Sequence, residues 1–319
     1  MNAATLTRKD FLTLRELEAS DLERCLALSS QVKADRTLGL QAPTAQALNG
    51  RHVAMLFEKP SLRTRTTFEV AVRELGGYVV ALQEDATLGR REPIADVARN
   101  LERWVDAVII RTFSQQLLQE FAAATTRLHV FNALTDEEHP CQAVADFLTL
   151  QERLGPLRGR TLAYVGDGNN VAASLAHASA MMGMNFHVAS PDGYTLSHTV
   201  VQQATSLARH GARLRLFNDA PDAVAGADAV YTDTWTSMGQ EAEADIRRRV
   251  FAPYQVTDDL MSLAKPGALF MHCLPAHRGE EVTHEVFEST ASVVFDQAEN
   301  RLHIQKALLL MLLAPAGHW

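Results

Sequence analysis

Apolar residues along the chain alternate between two patterns. Short continuous runs rich in β-branched residues predict buried strands, and longer stretches with apolar residues every three or four positions predict helices packed by one face. Strand candidates in the first half are 53–57, 78–82, 107–111 and 128–132, and helices fall near 64–75, 92–103, 114–124 and 140–154. Upstream, Ser20 and Glu23 have the spacing of a capping box before an amphipathic helix carrying Leu22, Cys25, Leu26 and Leu28. Gly155-Pro156-Leu157-Arg158-Gly159 breaks the pattern, and a second alternating series follows. Its strand candidates are 161–165, 186–190, 213–217, 228–232, 268–271 and 292–295, with helices near 170–182, 197–210, 241–250 and 283–289. A final helix spans about 297–313. Strands joined by helix-length crossovers mean parallel sheets. The expectation is an α/β protein of two open parallel-sheet domains, 1–150 and 151–296. Ligands then belong at the carboxyl ends of the strands, in the cleft between the domains.

A length of 319 residues suits two domains of ordinary size. The formal charge of -8 disfavours a nucleic-acid partner, which would call for a basic surplus. Three widely separated cysteines, Cys25, Cys141 and Cys273, suggest neither a disulfide framework nor a CxxC metal site, and reduced cytoplasm is the simplest home. The N-terminal residues lack the apolar core of a signal peptide. The longest apolar run, Ala307 to Ala314, is far short of the roughly 20 residues that span a bilayer, so it reads as a buried helix and no membrane association is expected.

The segment 57–77 has the strongest chemical character. A strand ends in Glu58-Lys59-Pro60, Ser61 stands where a helix N-cap belongs, and Phe68, Ala71, Val72 and Leu75 follow at helical spacing before Gly76-Gly77. The first turn carries hydroxyls at Ser61, Thr64, Thr66 and Thr67 and guanidinium groups at Arg63 and Arg65. Free N–H groups, the helix dipole, hydroxyls and a forked cation make an anion seat suited to phosphate; the bland alternative is a capped helix with a solvated basic turn. Two arginines two positions apart leave the helix about 200° apart, so one faces the anion and the other pairs internally, with Glu58 or Glu69.

Other segments carry chemistry at strand ends. Arg111 closes an apolar strand and needs either a ligand oxygen or an edge salt bridge. His139-Pro140-Cys141-Gln142 starts a helix at a proline, so His139 and Gln142 face whatever sits there. Gly166-Asp167-Gly168-Asn169-Asn170-Val171 invites a dinucleotide reading, but Val171 replaces the third glycine and Ala189-Ser190 replace the acidic residue expected after the next strand. Asp233 to Glu241 reads as a turn and N-cap. His272-Cys273-Leu274-Pro275 admits a nucleophile, a zinc ligand or a positioned thiol; neighbouring strand residues face apart, which leaves His272 badly placed to activate Cys273, and a metal would want more ligands.

Taken together, Ser61-Leu62-Arg63-Thr64-Arg65 after Phe57-Glu58-Lys59-Pro60, His139-Pro140-Cys141-Gln142, the Asp233…Ser237-Met238-Gly239 loop and His272-Cys273-Leu274-Pro275 resemble the motifs of the aspartate/ornithine carbamoyltransferases, in their ornithine-specific form. The resemblance runs from about Asp10 to Leu313 with the motifs in order. It implies carbamoyl transfer from carbamoyl phosphate to the δ-amine of L-ornithine, giving L-citrulline and phosphate, with no cofactor and no metal. The alternative is a sister enzyme for N-acetylornithine, N-succinylornithine or putrescine. Ser61, Leu62, Arg63, Thr64, Arg111 and Arg301 would hold the phosphate, with Thr64, Arg111, His139 and Gln142 as donors to the carbamoyl oxygen beside Pro140 and Cys141. Asn170, Asp233, Ser237 and Met238 would hold the α-end of ornithine, Cys273 with Leu274 would line both its δ-amine and the carbamoyl group of carbamoyl phosphate, and the leaving phosphate or the Asp233–Cys273 pair would take the amine's proton. Two departures stand out: Leu62 replaces a threonine, and Thr87 replaces a glutamine that reaches into a neighbouring subunit. The resemblance further implies a homotrimer and a last helix, 297–319, that completes the carbamoyl-phosphate domain.

Overall fold

In the computed structural model, residues 8–82, 92–237 and 239–314 are described. The chain divides into two compact units, Met1–Leu148 with Asn300–Trp319, and Thr149–Glu299. The first unit opens with helix α1 (Ala19–Ala34), then runs β1 (His52–Phe57), α2 (Leu62–Glu74), β2 (Tyr78–Ala81), α3 (Ile94–Trp104), β3 (Ala107–Arg111), α4 (Gln115–Ala123), β4 (His129–Leu134) and α5 (Pro140–Leu154). Its sheet is parallel in the order β2-β1-β3-β4. One face of alternate residues, including Ala54, Leu56, Val108, Ile110 and Val130, packs on Ala98 and Leu101 of α3 and Leu118 and Phe121 of α4. Burial on both faces explains why these strands read as continuous apolar runs. The predicted stripe on α2, Phe68, Ala71, Val72 and Leu75, is wholly buried, and the Phe68 ring meets Phe131 of β4 edge-on at 6.5 Å.

The second unit runs β5 (Thr161–Val165), α6 (Asn170–Met182), β6 (Asn185–Ala189), α7 (His198–Leu207), β7 (Leu214–Phe217), α8 (Ala220–Val224), β8 (Ala229–Thr232), α9 (Ala244–Phe251), α10 (Asp258–Ser262), β9 (Leu269–His272) and α11 (His284–Phe287). Its strands are parallel in the order β7-β6-β5-β8-β9. Helix α12 (Val294–Leu313) carries the chain back into the first unit, and its run from Ala307 to Ala314 is buried. No helix among the described residues is long and apolar enough to cross a membrane.

Strand order places the chemistry. In the first sheet the connections leave in opposite directions from β1 and β3, which are neighbours; in the second, β5 and β8 play that part. Such switch points open a crevice at the carboxyl ends of the two strands. Ser61 follows β1 and Arg111 ends β3, while Asn169 follows β5 and Asp233 follows β8. Each unit therefore presents its polar loops where parallel-sheet topology makes room for a ligand.

Three sequence expectations need correction. Residues 292–295 do not form a strand: Ser292 makes a single bridge to Phe270, and α12 begins at Val294. The valine pair that suggests a strand is buried at the helix start instead. Helix α1 begins before Ser20: its reciprocal cap is Glu18 with Asp21, whose carboxylate accepts from the Glu18 N–H at 3.0 Å. Glu18 and Asp21 satisfy the same spacing two residues earlier, and the nearly buried Asp21 wins over the exposed Ser20. The region 241–250 is a short 3-10 turn, Glu241–Glu243, leading into α9.

Candidate active site

The first half of the site is built on the starts of α2 and α5. Ser61 caps α2, its side chain accepting from the Thr64 N–H at 3.3 Å. The hydroxyl of Thr64 in turn accepts a short hydrogen bond from the guanidinium of Arg301, delivered by α12; both side chains are buried. The loop that presents Ser61 is tied down on each side. The Glu58 N–H donates to the Arg111 carbonyl at 2.9 Å, and the Thr112 hydroxyl donates to the Glu58 carboxylate. The buried Lys59 pairs with Asp136 and sits 4.0 Å over the Phe113 ring. Arg65 lies over the Phe57 ring at 5.6 Å, and Glu69, one of its two expected partners, is engaged by Arg73. Leu62 points its side chain outward, 78% exposed, which leaves its N–H as the group it can offer at the helix start.

His139 and Gln142 flank the start of α5, and Arg111 ends β3; all three are buried. Burial holds the His139 imidazole well below its usual pKa of 6.5, and the charges of Arg301, Arg111 and Arg63 push the same way. A neutral imidazole carries one N–H, so His139 can donate a hydrogen bond without adding charge. The effect on stability has a definite sign. The unfolded imidazole takes up a proton near pH 6.5 while the folded one resists it, so stability is unaffected above that value and falls as pH drops below it. Urea midpoints followed from about pH 8 down to about pH 5 should decline less steeply for His139→Gln than for the unaltered protein.

Gln142 differs from the sequence expectation of a simple donor. Its amide nitrogen donates to Asp146 at 2.8 Å, and its buried oxygen has no hydrogen-bond partner among the described residues. That oxygen can accept a hydrogen bond from the N–H of an amide-like ligand. Cys141 is buried, donates to the Asn132 carbonyl at 3.4 Å, and has its thiol pushed up to about 12 by burial. Its contribution to a ligand is through the main chain.

The second half is built on the ends of β5, β8 and β9. Asn169 caps α6, its oxygen accepting from the N–H groups of Val171 and Ala172 at 2.9 and 3.1 Å. Its amide nitrogen donates to Asp233 at 2.8 Å. The other Asp233 oxygen accepts from the Cys273 thiol at 2.9 Å and from the Thr234 N–H at 2.8 Å. Sequence reasoning selects Asn170 and misses Asn169, although the position before a helix is the capping one and marks Asn169. At Gly168 a Cβ would lie 2.5 Å from the backbone of Thr195 and Leu196, so this glycine is required by the chain's own close approach. Ser237 closes a small turn with Gln240, its N–H donating to the Gln240 side chain at 3.1 Å. Met238 and Thr87 lie outside the described residues.

His272 and Cys273 are closer than strand alternation implies. A ring nitrogen of His272, the Cys273 sulfur and a carboxylate oxygen of Asp233 all lie within 4.8 Å of one another. The reason is that β9 ends at His272, and the chain turns at Leu274, whose φ is 61°. Both imidazole nitrogens are nevertheless committed. Nδ1 accepts from the Leu274 N–H at 2.8 Å, so Nε2 carries the proton and donates to the buried Glu281 at 3.0 Å. His272 thus shapes the Cys273 loop and is not the base for its thiol. Cys25 and Cys141 are buried and both are pushed up to about 12, whereas Cys273 is partly exposed. A maleimide applied to the folded protein should therefore add one label, at Cys273, and Cys273→Ala should abolish it; intact-mass measurement checks this.

Two polar half-sites of this kind, each at a switch point of its own sheet, define a two-domain α/β transferase of the aspartate/ornithine carbamoyltransferase family, to which the chain belongs. Residues 9–152 match the family's carbamoyl-P binding domain and residues 158–312 its Asp/Orn binding domain. The chain is 50% identical over 312 residues to the ornithine carbamoyltransferase of Symbiobacterium thermophilum, covering 97% of this chain and 99% of that one. It is 49% identical over 310 residues to the enzyme of the same name from Anoxybacillus flavithermus, covering 97% and 98%. The solved ornithine carbamoyltransferase from Pyrococcus furiosus superposes with a TM-score of 0.92 at 45% identity, over 98% of each chain.

Proposed function

We propose that the chain transfers the carbamoyl group of carbamoyl phosphate to the δ-amine of L-ornithine, releasing L-citrulline and phosphate. The observation that carries the reading is the Asp233 carboxylate, fixed by Asn169 and Cys273. It offers an oriented anion to the α-ammonium group of an amino acid. Asn170, Ser237 and Met238 complete that end of the site, and Cys273 with Leu274 guides the δ-amine. In the other unit Ser61, Arg63, Thr64, Arg111, Arg301 and the Leu62 N–H hold the phosphate. Thr64, Arg111 and His139 donate to the carbamoyl oxygen, Gln142 accepts from the carbamoyl amide, and Pro140 and Cys141 shape the helix start beneath it.

The chemistry then needs little beyond placement. The ornithine side-chain amine has an ordinary pKa near 10 and must lose a proton before it attacks. Its lone pair forms the new N–C bond, and charge gathers on the carbonyl oxygen, where His139 and Arg111 meet it. The C–O bond to phosphate breaks and the bonding pair leaves with phosphate, which takes the second proton, shed by the nitrogen as the N–C bond forms, the first having gone to solvent. Orientation and preset dipoles supply most of the acceleration.

Citrulline formation from carbamoyl phosphate and L-ornithine tests the reading. Turnover confined to N-acetylornithine, N-succinylornithine, putrescine or aspartate overturns it. The cytoplasmic location rests on the cysteine pattern and the split near residue 150 on the alternation of elements, while the roles of residues 1–150 with 297–319 and of residues 151–296, a part in arginine biosynthesis or catabolism, and a homotrimer to which Thr87 contributes from a neighbouring subunit rest on the family resemblance. Light scattering checks the last.

A further inference from the structure

We propose that Arg247 is a positioning residue for the amino-acid acceptor, holding the two acceptor-binding loops in register through Asp167 and the Trp235 carbonyl; this rests on the function proposed above. Arg247 sits in α9 and makes no hydrogen bond to Asn170, Asp233, Ser237 or Cys273, yet it reaches the loops that carry them. One terminal nitrogen donates to the Asp167 carboxylate at 2.8 Å and to the Trp235 carbonyl at 2.9 Å. Asp167 lies two residues before Asn169, and Trp235 stands midway between Asp233 and Ser237. Asn169 and Asp233 themselves meet at 2.8 Å. Arg247 therefore joins, through Asp167 and Trp235, the same two segments that Asn169 and Asp233 join directly.

The clamp is stiff. Nε of Arg247 donates to Glu243 at 3.2 Å, and the guanidinium lies 5.0 Å from the Tyr194 ring centroid and 6.0 Å from that of Phe251. Trp235 stacks on Phe251 at 6.0 Å, and Arg247, Asp167 and Trp235 are all buried. A plain structural pair would be served as well by apolar residues of similar volume, since burying ions costs about as much as their attraction returns. What apolar residues could not supply is the bond to a main-chain carbonyl inside the acceptor loop. A planar guanidinium lying against the touching Tyr194 and Phe251 rings fixes that bond in direction as well as length.

The test compares Arg247→Lys with the double variant Asp167→Asn/Arg247→Met. Lysine keeps the charge but is one bond shorter and has no planar group to stack. The double variant removes both charges, so no ion is left buried without a partner. With melting temperature recorded alongside, each variant should raise KM for ornithine about ten- to a hundredfold, as expected for misplaced binding groups, while KM for carbamoyl phosphate stays within about twofold. The double variant should keep its melting temperature without recovering ornithine KM. An unchanged ornithine KM in the folded variants overturns the proposal, as does an equal rise for both substrates, which reports general loosening. Should Arg247→Lys fail to fold, the charge-neutral double variant decides the matter by the same two KM values. Failure of the unaltered protein to carbamoylate ornithine would instead overturn the underlying function, so the two failures are distinguishable.

Discussion

Arg63→Met is expected to lower kcat/KM for carbamoyl phosphate about 10³-fold while leaving the fold intact, because it removes a forked cation from a site where charge moves during the reaction. Arg63 stands in the first turn of α2, two residues after the capping Ser61, and its side chain is only half-buried. Its charge is also one of three that keep His139 neutral. Both contributions are electrostatic and neither fills the core, so melting temperature should change little. Arg63→Lys should recover part of the loss, since a point charge still attracts phosphate but cannot bind two of its oxygens side by side. Initial rates with carbamoyl phosphate varied at saturating ornithine provide the measurement. Near-normal kinetics for Arg63→Met would mean that the anion sits elsewhere.

Asp233→Asn should have the second-largest effect, a fall of about 10²- to 10³-fold in kcat/KM for ornithine, the range expected when one partner of a desolvated charge pair is removed. The asparagine keeps an oxygen for the Cys273 thiol or the Thr234 N–H. It also brings an amide nitrogen that, in place of the oxygen now facing Asn169, would set donor against donor. Affinity for carbamoyl phosphate should remain within about twofold, because the groups assigned to its phosphate belong to the other unit. Isothermal titration with carbamoyl phosphate, paired with citrulline assays over a range of ornithine concentrations, separates the two effects. Equal losses for both substrates would assign Asp233 a general structural part instead.

Much of the architecture can be read from residue patterns because parallel strands buried on both faces leave uninterrupted apolar runs. That is why β1, β3 and β5 lie within a residue of their expected limits. The pattern fails where local chemistry competes with periodicity. Val293 and Val294 have strand-like composition but open a helix, and α8 and α10 are five-residue helices too short to show a repeat. The motif residues are visible individually as caps, strand-end charges and a paired His-Cys, but their assembly is not. No spacing rule links Arg301 to Thr64 across 237 positions, or Cys273 to Asp233 across 40. Nor does spacing show that Gln142 spends its amide nitrogen on Asp146 and keeps its oxygen for a ligand. Lys59, Asn169 and Arg247 escape sequence reasoning because each acts through a neighbour's backbone, ring or carboxylate.

The arrival of Arg301 on α12 has a consequence for synthesis. A ribosome that has translated as far as residue 299 has already made every strand of both sheets, Ser61, Arg63 and Arg111 included, yet the Thr64 hydroxyl still waits for its guanidinium. A product of premature termination there lacks both Arg301 and the buried run of α12 that belongs to the first unit. The pairing of Thr64 with its guanidinium is thus among the last contacts of the first unit to form during translation.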